Sequence, residues 1–279
     1  MEKFTEKTVL VTGSTDGVGR LVARRLGETG ARILVHGRDA ARGAQAVAEI
    51  EKVGGAATFF RADLASLAGV RNLAAAVQDA TDRLDILINN AGIGTAGSGR
   101  QVSVDGFELR FAVNYLAGFL LTSLLLPLLR SSAPARIVNV SSAGQQAIDF
   151  SDVMLTRDYS GARAYCQSKL AQVMFTFDLA EKLVGSGVSA TCLHPATYMD
   201  TTMVRRAGVT PVSTVDQGAE AILNLATSPV LEGRTGLYFN GLREVRAHSQ
   251  AYDAEARRQL WSLSLESTGL SIGPIGVGD

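Results

Sequence analysis

Thr8-Val9-Leu10-Val11-Thr12-Gly13-Ser14-Thr15-Asp16-Gly17-Val18-Gly19 is the stretch that decides the fold. Its first five residues are β-branched or aliphatic, the composition of a buried strand. Gly13, Gly17 and Gly19 then let the chain turn tightly with little side chain in the way. From Val18 to Thr29 the residues Leu21, Val22 and Leu26 return on one face of a helix. A strand that ends in a glycine-rich turn and runs into a helix offers free N–H groups, and the positive end of the helix dipole, to an anion such as a pyrophosphate.

The same alternation continues outward. Further strands are expected at 32–36, 57–61, 85–89, 136–140, 188–193 and 237–240. Helices are expected at 39–53, 66–81, 104–130, 162–184 and 215–227. The strand segments are continuously apolar, which predicts a sheet covered on both faces. Alternating strands and helices imply right-handed crossovers and a parallel sheet. Nothing splits the chain by composition and no solenoid repeat appears, so the expectation is one α/β domain with a doubly wound, Rossmann-type parallel sheet. The tail from 243 to 265 reads as a surface helix, with the single Trp261 packed on the body.

Composition narrows the partners. The 279 residues carry 27 basic and 27 acidic side chains, which gives no electrostatic reason to expect nucleic acid or an anionic membrane. Hydrophobic residues reach 46%, enough for a sizeable core. Cys166 and Cys192 cannot make a disulfide framework, and His36, His194 and His248 are too scattered for a metal site, so no metal is expected. The N-terminal residues, with Glu2, Lys3, Glu6 and Lys7, lack the apolar stretch of a secretion signal. The most apolar run, Leu116 to Leu129, contains Pro127 and is shorter than the roughly 20 residues of a membrane span, so it reads as a core helix. A cytoplasmic protein without membrane contact is expected.

The glycine spacing is G-x-x-x-G-x-G rather than G-x-G-x-x-G. Asn89-Asn90-Ala91-Gly92 follows the fourth strand, and Asn114 lies in the long apolar helix. Asn139-Val140-Ser141-Ser142 ends the fifth strand, Tyr165-Cys166-Gln167-Ser168-Lys169 opens the next helix, and His194-Pro195 follows the sixth strand. In this order the motifs resemble the short-chain dehydrogenase/reductase family over roughly Thr8 to Asn240. The stretch Tyr165 to Leu183, with Asn114-Tyr115-Leu116, is similar to the retinol-dehydrogenase-like branch, though the N-terminal membrane anchor of many members there is not expected here. The resemblance implies a nicotinamide dinucleotide held by Gly13, Ser14, Thr15, Asp16, Gly17, Val18 and Gly19. It also places Asp63 and Leu64 beside the adenine, and Asn90, Ala91 and Gly92 along the cofactor cleft.

The end of the second strand reads the adenosine ribose, and an acid there would bind its hydroxyls and repel a 2′-phosphate. That position is Gly37, followed by Arg38, whose guanidinium suits a 2′-phosphate. Asp39 is a helix N-cap candidate. NADP(H) is therefore expected over NAD(H). His36 reads as structural.

Tyr165 and Lys169 are four apart on an expected helix and share a face. A neighbouring ammonium favours the phenolate, which suits Tyr165 as general acid in carbonyl reduction and general base in alcohol oxidation. The resemblance adds Lys169 on the nicotinamide ribose, Ser142 on the substrate oxygen and Asn114 on a relay water. Ser141 reads as satisfying local backbone and Tyr159 as a wall or loop residue. No G-x-S-x-G elbow supports a hydrolase.

Two segments depart from the family. Ser142 and Tyr165 are 23 apart, so 143–164 forms an enlarged segment whose Phe150, Met154, Leu155 and Tyr159 are expected on one wall of the substrate cleft. After Pro195 the usual glycine is Ala196, and the loop is one residue longer. The nicotinamide amide contact then falls to Thr197, Met199 or Thr201. Residues 198–214, with Met199, Met203, Val204 and Val209, read as a lid. The expected substrate is a hydrophobic or medium-sized carbonyl or alcohol: an aldehyde, a polyketide-type ketone, a steroid or a retinoid. The alternatives are a non-catalytic nucleotide-binding or sensor protein on the same fold, whose mark would be a broken Asn/Ser/Tyr/Lys set, and an epimerase or dehydratase. A homo-oligomer, dimer or tetramer, through the 104–130 and 162–184 helices is a further expectation, from the resemblance.

Overall fold

The computed structural model describes residues 4–97 and 99–271. In chain order its main elements are β1 (Thr8–Val11), α1 (Gly17–Gly27), β2 (Arg32–Gly37), α2 (Ala40–Lys52), β3 (Ala56–Arg61), α3 (Leu67–Ala80) and β4 (Ile86–Asn89). A π-helical segment, Phe111–Leu116, then leads into α4 (Ala117–Ser131). There follow β5 (Ala135–Val140), α5 (Gly161–Lys182), β6 (Val188–His194), α6 (Thr202–Arg206), α7 (Val215–Thr227), β7 (Leu237–Asn240), β8 (Arg243–Glu244) and α8 (Ala254–Thr268). The sheet order is β3-β2-β1-β4-β5-β6-β7-β8. β1 pairs in parallel with both β2 and β4, and only β8 runs antiparallel, against β7. This is the doubly wound α/β fold expected. Its strand order reverses between β1 and β4, where such sheets open a crevice at their carboxyl ends.

Two apolar layers clamp the sheet. On one face α1, α2 and α7 bury Val22, Leu26, Ile50 and Ile222 against Val9, Val11 and Ile33. On the other, α3, α4, α5 and α8 bury Leu73, Phe119, Leu170 and Leu260 against Leu10, Leu87 and Ile137. The strands β1 and β4 are buried throughout, as their apolar runs require. β3 is not: as the sheet's edge it alternates between exposed and half-buried residues. Helix starts follow the side chains that satisfy their first N–H groups, with Asp16 capping α1, Asp39 capping α2, Ser66 capping α3 and Thr214 closing a capping box on α7.

Three boundaries differ from the sequence reading. The long helix starts beyond Val104, because Gly106 adopts φ +87° and Val102 pairs with Glu108 in a short bridge. The tail is not one surface helix from Arg243: its first residues add the edge strand β8, and α8 packs on α5. The span Phe111–Ser131 is long and apolar enough to cross a membrane, yet Phe119, Leu120, Leu125 and Leu129 are fully buried in the core.

Candidate active site

The glycine loop lies between β1 and α1 at the crevice. Gly13 needs its φ of +65°, and a Cβ there would fall 2.9 Å from the Ala91 Cα. A Cβ on Gly19 would fall 2.3 Å from Asn90 Nδ2. Gly13 and Gly19 therefore leave no room for a side chain against Ala91 and Asn90. Asn90 Nδ2 donates to Thr12 O at 2.9 Å, and the N–H groups of Asn90 and Ala91 both donate to Thr12 Oγ1. Ser14 is buried, its hydroxyl donating to Val11 O. Thr15 packs on Gly37, and Val18 borders the crevice side of α1 beside Gly218. A cradle of backbone N–H groups at the start of α1 is what a pyrophosphate needs, so these residues fit a dinucleotide.

His36 braces this loop. Gly13 N–H donates to its Nδ1 at 3.1 Å, which leaves the ring proton on Nε2, facing Ala62 O at 3.3 Å. Burial lowers its pKa to about 4, so the ring stays neutral. Beyond it, a Cβ on Gly37 would lie 2.5 Å from Thr15 Cγ2, so a larger residue where an acid could sit would have to displace the Thr15 side chain. Arg38 is exposed, with Nη1 3.7 Å from Asp63 Oδ1. Arg61 Nε donates to Arg38 O, and Arg42 lies 3.4 Å from Asp16. Asp39 accepts from Arg42 N as the α2 cap. Three guanidinium groups thus gather at this end. Asp63 faces outward, while Leu64 is buried in the core.

Ser142, Tyr165 and Lys169 meet at the carboxyl end of β5. Ser142 Oγ accepts the Gly144 N–H at 3.0 Å, which leaves its own proton to donate. Burial raises the Tyr165 phenol, and the Ser142 hydroxyl works against that rise. Lys169 Nζ lies 5.8 Å from the Tyr165 ring centroid and donates to Val140 O and Gln172 Oε1, each at 2.9 Å. Burial lowers the Lys169 ammonium to about 7. Desolvation of the phenol is the largest influence on Tyr165. Asn114 sits in the π-helical segment rather than in regular α-helix. Its Oδ1 accepts from Ile93 N and its Nδ2 donates to Ile93 O and to Ser168 Oγ. Gly92 stands between, since a Cβ there would come 3.2 Å from Asn114 Oδ1 and 3.5 Å from Lys169 Nζ.

Pro195 is buried at the end of β6. The exposed Thr197 pairs through Oγ1 with His194 Nε2 at 3.0 Å, and its carbonyl accepts from Ser213 Oγ. Met199 bridges Ser213, and Thr201 caps α6. Thr201 Cγ2 approaches Gly17, and Met203 packs on Gly94, so the segment after Pro195 reaches across the crevice from the phosphate loop to the loop after β4. In the enlarged segment Leu155 is only 1% exposed. It is a core residue, not a wall of the cleft as expected. Ser141 donates to Lys169 O at 2.7 Å, so it satisfies the backbone of α5 and not its own loop. Among the described residues no cluster of metal-ligating side chains occurs.

Several site residues escaped the sequence reading. Tyr238 OH donates to Ser142 O at 3.0 Å, and Gln145 Nε2 to the same carbonyl at 2.8 Å. Arg110 donates to Gly94 O and Ala96 O and to the Tyr159 hydroxyl, which donates in turn to Glu108. Arg110 was findable as a cation one helical turn before Asn114 and two residues after Glu108, at the head of a mostly apolar segment.

The sequence profile of the family described as short chain dehydrogenase matches residues 7–210. Human retinol dehydrogenase 13 is 38% identical over 284 aligned positions, covering 95% of this chain and 85% of that protein. Human retinol dehydrogenase 14 is 37% identical, with 95% and 87% covered. A crystal structure of an uncharacterised protein from Mycobacterium paratuberculosis superposes with a TM-score of 0.80 at 32% identity over 96% of both chains. The Pseudomonas aeruginosa RhlG/NADP active-site complex gives 0.69 at 30% identity, over 85% of this chain and 95% of that one. With the glycine cradle and the Ser142, Tyr165 and Lys169 group at one crevice, the chain belongs to the short-chain dehydrogenase family of oxidoreductases, in its retinol-dehydrogenase-like branch.

Proposed function

We propose that the protein is an NADP(H)-dependent carbonyl reductase or alcohol dehydrogenase acting on a hydrophobic or medium-sized substrate. The observation that carries this reading is the meeting of the Tyr165 phenol, the Ser142 hydroxyl and the buried Lys169 ammonium at the mouth of the dinucleotide cradle. A bound nicotinamide supplies or accepts the hydride. Ser142, with its proton free, donates to the substrate oxygen where negative charge grows. Tyr165 gives that oxygen its proton in reduction and removes it in oxidation. Lys169 holds the nicotinamide ribose, and its charge favours the phenolate. Asn114 pins the Ile93 backbone beside them.

NADP(H) over NAD(H) is supported by Arg38 and Arg61 at the ends of β2 and β3, by Arg42 in the first turn of α2, and by the crowding of Gly37 by Thr15, against which an acid there would have to push. A hydrophobic substrate is supported by Tyr198 and Met203, exposed on the 198–214 segment that we read as a lid. The names of the retinol dehydrogenase relatives make a retinoid the first class to try. The test is NADPH absorbance loss with aldehydes, steroid ketones and retinal, with NADH and Tyr165→Phe in parallel. NADPH-dependent turnover that falls by about 10²-fold or more in the variant is expected. Turnover unchanged in Tyr165→Phe would overturn the assignment of the proton donor.

A further inference from the structure

Lys169 is a buried cation, 5% exposed, and its surroundings account for it donor by donor. An ammonium has three N–H donors. One goes to Val140 O, a backbone atom fixed by β5, and one to the side-chain carbonyl of Gln172, both at 2.9 Å. The third is left for a ligand in the crevice. Gln172 lies three residues on along α5, is 4% exposed, and is the one side chain on the described residues that accepts from Lys169. It does not simply fill space. It borders a cavity of about 10 Å³, the room of a single water, shared with Thr12, Asn89 and Asn114, and among the described residues the buried Asn89 Oδ1 has no partner. A packing residue would close that gap. A carbonyl dipole aimed at Nζ does something else: it stabilises the ammonium over the amine and fixes its direction.

We propose that Gln172 is a positioning residue for the reaction, whose side-chain carbonyl keeps Lys169 cationic and leaves its third N–H aimed into the crevice. The kinetic consequence rests on the oxidoreductase reading above; the electrostatic link between the two side chains does not. Burial opposes the charge, so loss of the Gln172 acceptor lets the amine form appear at lower pH. The titratable groups that face Lys169 are Tyr165 on its own helix and His194 at the end of β6, whose pKa burial and the Lys169 charge both lower. Asn114 and Gly92 face it from the other wall without titrating.

The sequence has five lysines, so lysine-selective 13C labelling resolves each ε-carbon, and Lys169→Arg assigns the one that matters. Wild type, Gln172→Met, Gln172→Leu and Gln172→Glu are titrated without cofactor, with circular dichroism to confirm folding. The expected result is a Lys169 midpoint lowered by roughly one pH unit in the Met and Leu variants and raised in the Glu variant. The alkaline loss of NADPH-dependent reduction should move in the same directions, because activity falls as pH rises through the Lys169 pKa. A Lys169 midpoint that stays in place in the folded Met or Leu variant overturns the inference. If no carbonyl substrate is turned over, the titration still decides it, so its failure and that of the proposed reaction are told apart.

Discussion

Arg38 is the side chain on which the choice between the two nicotinamide cofactors turns. It is exposed and its nearest acid, Asp63, is 3.7 Å away, so the guanidinium is held loosely and can turn to a phosphate. A charge-assisted contact of this kind is worth about 1.5–3 kcal/mol. Arg38→Asp should raise KM for NADPH by roughly 10–100-fold and leave KM for NADH the same or lower, measured by initial rates with either cofactor. Equal effects on both would remove Arg38 from the phosphate site. The glycine loop, Ser142, Tyr165 and Lys169 were legible in the sequence because their chemistry is written in short spacings. His36 was read as structural but without its partner, and Tyr238 was not read at all. The Gly13–His36 bond spans 23 residues and the Tyr238–Ser142 bond spans 96. Such contacts exist only once the strand order is known.

At the scale of elements, the least legible part was the entry to the long helix. Apolar periodicity extended it back to Val104, but Gly106 in the left-handed region breaks the turn, and Asp105 leaves to accept from Leu67 N at the start of α3. What replaces the first turn is a buried polar knot. Glu108 is 1% exposed and lies 3.6 Å from Arg110, and Glu108 Oε2 accepts from Phe111 N. Arg110 then ties the loop after β4 to Tyr159 of the enlarged segment. Arg110→Ala would leave Glu108 buried without its cation and the Gly94 and Ala96 carbonyls without a donor. A loss of about 3–5 kcal/mol in urea unfolding is expected, with faster proteolysis at the loop after β4. A variant as stable as the parent would show that water takes over the knot. The enlarged segment was visible as an abnormal Ser142–Tyr165 spacing. That Leu155 turns inward was not, because a short apolar cluster reads the same in a core and in a cleft wall.

For the whole molecule, the alternation of strands and helices was enough to give the doubly wound sheet, and the reversal between β1 and β4 then located the crevice. It was not enough to say what covers the apolar faces of α4 and α5, which suggested an interface between copies. In the fold α8, from within the same chain, packs along α5 and reaches α4 at Phe119. Trp261 has its ring centroid 5.2 Å from Phe119 and 6.0 Å from Phe175, Tyr115 pairs with Ser264 at 2.6 Å, and Arg257 pairs with Asp178 at 2.9 Å. Every residue of α5 from Gln167 to Ala180 is buried, between the sheet, the π-helical segment and α8. We therefore propose that the α4–α5 face is closed to a second copy. Sedimentation velocity should find no dimer built on it: a mass of one chain, 29.4 kDa, is expected at micromolar concentration. Trp261→Ala removes the ring that seats α8 and should cost about 3 kcal/mol. By loosening α8 it should uncover Phe119 and Phe175 and raise the sedimenting mass with concentration. A parent dimer that dissociates when α4 or α5 is altered, with α8 still seated, would overturn the closed-face reading and return those two helices to the role of an interface.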